Sequence, residues 1–298
     1  MLGLATATSE ITLVLFTTLA PCGAVALMIM AIAVMSGHFP AQATARIRQF
    51  MCIPLVITMV GLVASATHLG NPSNALYVFL GVGRSPLSNE VFAAVIFLAL
   101  AGLFWLYSFS RTRRVVLENA WLAMIVVTGA VFVQLVSLAY SVETIITWND
   151  ALMPVALWLN ALVGGPILAL FSLDVADAGC MTRKMQLLLC GLSAAALVTS
   201  IVVLCMFNAQ LTNMGNSITM ATDLLPSYPA AIVGYGVLCA LGIVVAVLSI
   251  RKSADAQRKT DVHRALLKQA GACLLVFAGI FIIRFAFYML HMTVGLAI

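Results

Sequence analysis

The chain of 298 residues is 63% hydrophobic and 8% charged, with a formal net charge of +5 and a mean hydropathy of +1.12. Soluble domains carry about a quarter of their residues charged, so this composition excludes a water-soluble globular protein and points to one embedded in a bilayer. Seven cysteines are scattered with no C-x-x-C pair and no metal-ligand spacing, which argues for small buried packing residues rather than a metal centre.

Apolar runs of about 20 residues, the length that crosses a ~30 Å hydrocarbon layer, recur along the whole sequence. They predict eight transmembrane spans at residues 11–36, 50–68, 89–109, 119–141, 152–173, 185–207, 228–250 and 267–292, within a single integral-membrane domain over 1–298. The spans must be helices, since lone strands would leave backbone groups unpaired in lipid and the alternation of a barrel is absent. This is an all-α, polytopic fold. The first run is too long for a signal-peptide core and no basic residue precedes it, so it is expected to be retained as a span.

The connections alternate in character. Those after spans one, three, five and seven, the last counted with Lys268 at the start of the eighth span, hold thirteen of the fifteen Lys and Arg, whereas the other side holds only Arg84, and Arg284 lies deeper in the last span. The positive-inside rule then puts both termini on the outer, periplasmic side of a bacterial inner membrane. Anchoring to anionic headgroups by the basic loop "RKSADAQRKTDVHR" explains the net charge without a nucleic-acid partner. The outer connections at 69–88, 141–150 and 208–229 are longer and polar, which marks that face as the functional one. Within the first, "ALYVFL" is too short to span and too apolar to be solvated, so it is expected to lie in the interface or fold back as a lid.

Ionisable groups near hydrocarbon cost at least about 2.5–3.5 kcal/mol to insert and are therefore informative. Counting from the basic end of each helix at 1.5 Å per residue, His68 lies roughly 30 Å from Arg48, and Glu90 roughly 32 Å from Arg111. Arg284 and His291 lie roughly 24 and 34 Å beyond Lys268. All four share the outer third. His68 before Gly70 and Pro72 also reads as a helix C-terminus, and Ser88 with Glu90 as an N-cap and first-turn acid. Capping explains the Gly, Pro and Ser, but not why a base and an acid share one level of an otherwise uncharged bundle.

A neutral imidazole and a carboxylate are suitable bases for a quinol, whose two hydroxyls each need a proton acceptor, and an apolar slot between helices would hold its ring and tail. Tyr77 and Arg84, in the connection between them, join the candidate set. Arg284 either pairs with Glu90 or helix carbonyls, or holds a quinone oxygen or tunes the acid. His68 with His291 is the one histidine pair at a common depth that a b-type haem could use. Glu118, Asp174 and Asp177 read as solvated helix ends, and Tyr77, Tyr140, Trp148 and Tyr228 as interfacial belt anchors, with a docking surface as the alternative for Trp148. With no cysteine cluster, flavin or nucleotide signature, the electrons would have to pass to a partner subunit.

The stretch "HLGNP…GVGRSPLSNE" at 68–90 resembles the H-L-G-x-P…S-N-E segment of the DmsC family, the membrane anchors of dimethyl sulfoxide reductase-type molybdoenzymes within the NrfD-like superfamily. "YSVETIITW" at 140–148, "GGP" at 164–166, "RFAFYMLH" at 284–291 and the eight-span plan are similar too, while "NALYVFLGVGR" is not family-like. The resemblance implies an anchor that oxidises menaquinol and passes electrons to a ferredoxin-like four-cluster iron–sulfur subunit, which feeds a molybdopterin catalytic subunit. It implies that His68 and Glu90 belong to the quinol site, and that the protein itself carries no haem, iron–sulfur cluster or molybdenum and is not the catalytic subunit. Two other classes remain open: a transporter, for which Gly164–Pro166 offers one helix break without a counterpart, and a bare assembly scaffold.

Overall fold

With no water in hydrocarbon to bond a free N–H or C=O, each apolar run closes its backbone bonds within itself. In the computed structural model, which describes residues 2–67, 72–110, 114–250 and 259–294, the outcome is an all-α fold. Its elements are α1 Leu2–Ser9, α2 Ile11–Met35, α3 Ala41–Phe50, α4 Cys52–Thr67, a 3-10 helix at Pro72–Gly81, α5 Pro86–Tyr107, α6 Val115–Ala139, α7 Leu152–Ala176, α8 Arg183–Leu211, α9 Ala221–Leu224, α10 Tyr228–Ser249 and α11 Lys259–Met289. Among the described residues eight helical runs are long and apolar enough to cross a membrane: α2, α3 with α4, α5, α6, α7, α8, α10 and α11.

Several boundaries differ from the sequence reading for local reasons. The second span reaches back to Ala41, and its break at Met51 falls just ahead of Pro54, which has no N–H to return to the carbonyl of residue 50. The eighth starts at Lys259, because its polar lead-in stays helical beyond the apolar core. The sixth starts at Arg183, where the Thr182 hydroxyl accepts the Met185 N–H at 3.3 Å. The short α1 before the first span is not evident from apolar run length.

The core is built on α2 and α7, the most enclosed of the spans. Helix α2 packs against α4, α6, α7 and α11, while α10 packs on α11 and α8. Lipid supplies no hydrophobic drive between helices, so close backbone approach takes its place. At the crossing of α2 and α7, a Cβ on Gly164 would strike Cys22 and one on Gly165 would strike Val25. The break expected at 164–166 is not formed: α7 runs unbroken through Pro166, and the glycines serve packing.

The end bearing the basic residues is closed by polar contacts, not solvated as expected. Glu118 is buried and paired with Arg48 at 2.7 Å. Asp174 is buried too, and accepts hydrogen bonds from Gln269 Nε2 at 2.6 Å and Gln186 Nε2 at 3.3 Å. Asp177 comes nearer the solvated helix end expected of all three: it is half-exposed, 3.8 Å from Arg46. Burial, then Asp177 and Asp174, push the Cys180 thiol up to about 12, so it stays protonated and unreactive.

Removing the Glu118 carboxylate takes away the ion-pair partner 2.7 Å from Arg48. We expect Glu118→Ala to cost about 3–5 kcal/mol, the scale of breaking a buried ion pair by removing one partner. Equilibrium unfolding in detergent micelles would measure it, and unchanged stability would show that the pair does not hold this end together.

Candidate functional site

At the opposite end α4 and α5 meet only sparingly, and the 3-10 helix bridges them. The sequence sets this up. Helix α5 begins at Pro86, preorganised for the first helical turn, with Ser85 as its N-cap. The preceding turn is set by Gly83 at φ +83°, a conformation that favours glycine. It is fastened by the Gly83 N–H donating to Asn89 Oδ1 at 2.6 Å. Gly81 then closes the 3-10 helix so tightly onto α5 that a side chain there would collide with Ser88. The capping explanation of Glu90 therefore falls: the helix starts earlier, no acid occupies its first turn, and Glu90 sits one turn inside.

The segment 75–80 folds back as a lid. Beneath it is a cavity of about 300 Å³ walled by α4, the lid and α5. Leu62, Leu76, Phe79, Ala94 and Leu98 give it an apolar lining, with Ser65 and Glu90 among its few polar groups. Leu76 and Val95 are also exposed on the bundle's outside, so the cavity opens toward lipid. Glu90 is only 3% exposed, and its Oε2 has no hydrogen-bond partner. A buried polar atom without a partner costs about 1–3 kcal/mol, more when charged.

The packing of α5 on α6, with Phe97 stacked on Phe132, brings the Glu90 end of α5 to the end of α6 that carries Tyr140. Arg284 is 3% exposed; its Nε donates to Thr17 Oγ1 at 3.0 Å, and its guanidinium lies 4.2 Å from the Phe287 ring and 5.7 Å from those of Tyr140 and Tyr288. No ion pair joins Arg284 to Glu90, so that reading of the arginine is not what forms.

The connection 141–150 straps this cluster down. Ile145 bridges to Thr293, Ile146 N–H donates to Met292 O at 3.0 Å, and the Thr147 hydroxyl donates to Leu290 O. Trp148 Nε1 donates to Phe287 O at 3.1 Å while its ring stacks on Phe287 at 4.8 Å. Trp148 is thus buried, not a belt anchor or a docking surface, and Tyr228 is likewise buried against Phe207. His291 stands edge-on to Trp148 at 4.8 Å.

The other candidates fall as follows. His68 lies outside the described residues; Ser65 and Ala66, in the turn of α4 just before it, line the cavity. Tyr77, 67% exposed, and Arg84, also exposed, lie on the lid and the turn after it and do not line the cavity. Sequence alone does not single out Thr17, Tyr140 and Tyr288 for the site. The family-like stretches 140–148 and 284–291 carry the signal for two of them, and these stretches pack against each other around Arg284. Among the described residues no three His, Cys, Asp or Glu side chains converge as metal ligands would.

The family model described as DMSO reductase anchor subunit (DmsC) matches residues 4–290. The protein belongs to the DmsC family. Similar DmsC relatives include the C subunit of the anaerobic dimethyl sulfoxide reductase of Escherichia coli strain K12, 32% identical over 96% of both sequences. The anaerobic dimethyl sulfoxide reductase subunit YnfH of the same organism is also 32% identical over 96% of each. The corresponding C subunit of Haemophilus influenzae is 31% identical over 97% of each. With its eight apolar helices, this DmsC protein is a multi-pass protein of the inner membrane.

Trp148→Ala should loosen the strap, since losing a buried tryptophan costs about 3–5 kcal/mol. Faster hydrogen exchange confined to 141–150 and 290–294 is the expected sign. Unchanged exchange would mean that backbone bonds alone hold it.

Proposed function

We propose that this protein is the quinol-oxidising anchor of a dimethyl sulfoxide reductase-type complex. Menaquinol enters the lidded cavity from the bilayer, and Glu90 and His68 take the protons of its two hydroxyls. Two electrons leave to a four-cluster, ferredoxin-like iron–sulfur subunit, which supplies a molybdopterin catalytic subunit. The anchor then performs only the quinol half-reaction and carries no haem, iron–sulfur cluster or molybdenum of its own.

The observation that carries this reading is the buried Glu90 carboxylate, Oε2 unpartnered, in the wall of an otherwise apolar cavity that opens toward lipid. A carboxylate there can accept a hydroxyl proton, and the apolar walls exclude water that would compete for it. At about 300 Å³ the cavity is at the small end of ligand pockets, suited to a ring headgroup whose tail stays in the bilayer. Tyr77 and Arg84, on the lid ribbon outside the lining, are assigned to the entrance. In this reading the basic end faces the cytoplasm and both termini face the periplasm, a placement supported by the distribution of Lys and Arg.

In the purified complex, Glu90→Gln and His68→Ala should each lower menaquinol-dependent reductase turnover by about a hundredfold or more, the scale of losing a proton acceptor. Activity with a soluble artificial electron donor should persist. Ala94→Phe, which places a ring in the cavity, should weaken binding of a quinol-analogue inhibitor while leaving artificial-donor activity intact. Wild-type inhibitor affinity in His68→Ala, or equal loss of both activities in Glu90→Gln, would refute the site. Reporter fusions should give periplasmic signals at both termini and a cytoplasmic signal at residues 251–258; the reverse pattern would overturn the orientation.

A further inference from the structure

A base that takes a proton at every turnover must also give it up. Resting on the quinol reading above, the question is where Glu90 sends it. The cavity offers no return: its walls are almost wholly apolar, the lid covers it, and a bound headgroup would fill it. The other side of Glu90 is different.

Three buried polar atoms there lack hydrogen-bond partners: Glu90 Oε2, Tyr288 Oη and Arg284 Nη2. They come from helices far apart in sequence, yet Arg284 lies over both the Tyr140 and Tyr288 rings, whose centroids are 5.8 Å apart, and the packing of α5 on α6 brings the Glu90 end of one to the Tyr140 end of the other. Buried orphan groups of this kind, polar and clustered, are what ordered internal water satisfies, each water needing two to four polar partners. Ser141 Oγ, next to Tyr140 at the edge of the strap, is a fourth such atom. The series therefore leads from the cavity wall toward the end of the bundle.

We propose that Glu90 discharges its proton away from the cavity through a relay of internal water and the Tyr140 and Tyr288 hydroxyls, positioned by Arg284 and ending beside Ser141 under the 144–148 strap. The Glu90 carboxyl O–H breaks as a proton passes to the adjoining water or phenol oxygen. That oxygen releases its own proton onward, so each relay group ends as it began and no electron moves. Arg284 does not carry the proton, since a guanidinium does not deprotonate in proteins. It is a positioning residue. Its Nε is fixed on Thr17, its plane rests on Phe287, and its free Nη2 is left to orient the phenols and water. Tyr288 lies four residues after Arg284, on the same face of α11. The charged and titratable groups facing the relay are Glu90 from α5, Arg284 and Tyr288 from α11, Tyr140 at the end of α6 and Tyr228 from α10, with His291 standing against Trp148 at the strap.

The assembled complex carrying Tyr288→Phe, Tyr140→Phe or both tests this, because phenylalanine keeps the ring and its packing and removes only the hydroxyl. We expect menaquinol-dependent turnover to fall about tenfold or more in the double variant, at the low end of what a missing proton-transfer partner costs. The solvent deuterium isotope effect should rise, while quinol-analogue affinity and artificial-donor activity stay at wild-type values. Arg284→Met should lose more turnover than Arg284→Lys, which retains the charge. Wild-type turnover and isotope effect in the double variant would overturn the relay and leave the quinol site standing. Weakened inhibitor binding in that variant would also overturn it, making the tyrosines part of the cavity wall. Full menaquinol turnover in Glu90→Gln would remove both readings together.

Discussion

Hydrocarbon does not solvate a polar group, and every polar feature of this bundle is shaped by that fact. Putting a charged side chain at membrane depth costs at least about 2.5–3.5 kcal/mol, so it persists only where the surrounding protein supplies what water would. The two ends answer differently. At the basic end each buried carboxylate has a polar partner: Glu118 faces Arg48, and Asp174 is held by Gln186 and Gln269, although Gln269 Oε1 itself has none. At the other end the answer is partial. Arg284 has one hydrogen bond and an aromatic bed, and Glu90 retains an oxygen with no partner. Paired carboxylates hold the bundle together, whereas an unsatisfied one facing a cavity is what the proposed function draws on.

That incompleteness is tolerated only because the rest is tightly determined. The close crossing of α2 and α7, which Gly164 and Gly165 permit, fixes Thr17 on one helix relative to the bundle. Thr17 in turn fixes Arg284. The strap at 141–150, tied to the end of α11 by Thr147, Trp148 and the bridge at Ile145, keeps the aromatic rings around the guanidinium from relaxing. Groups preorganised by their neighbours in this way lose little by waiting for a ligand.

Much of this is legible in the sequence, and what is not has a common cause. Span number and helical class follow from the length of apolar runs, which depends on bilayer thickness alone. The depth of Glu90 and Arg284 follows from helical rise, and the lid from a six-residue apolar segment too short to cross. Burial of Glu118, Asp174 and Trp148 cannot be read there, because it depends on which helix faces which. A carboxylate beside basic residues looks the same in sequence whether it is solvated or enclosed. The unbroken course of α7 is hidden for the same reason: Gly164, Gly165 and Pro166 suggest a break until the neighbouring α2 shows what their missing side chains admit. The start of α5 shows the limit of local rules, since Ser88 is a good N-cap residue but Pro86 and Ser85 take those places first.

The site stands where two kinds of packing meet. On one side of Glu90, Ala93 and Phe97 belong to the dense core shared with α2 and α6. On the other, the lid covers α4 and α5 with residues such as Leu76 and Phe79 that remain exposed. A lid with few buried apolar contacts opens at low cost, which suits a hydrophobic guest arriving from the bilayer. The dense side does not open, so it can hold Tyr140, Tyr288 and Arg284 at fixed separations. On the reading proposed above, a proton needs such fixed separations and a bulky headgroup needs the movable wall. Glu90 stands at the boundary between them, so a single acid there would serve each.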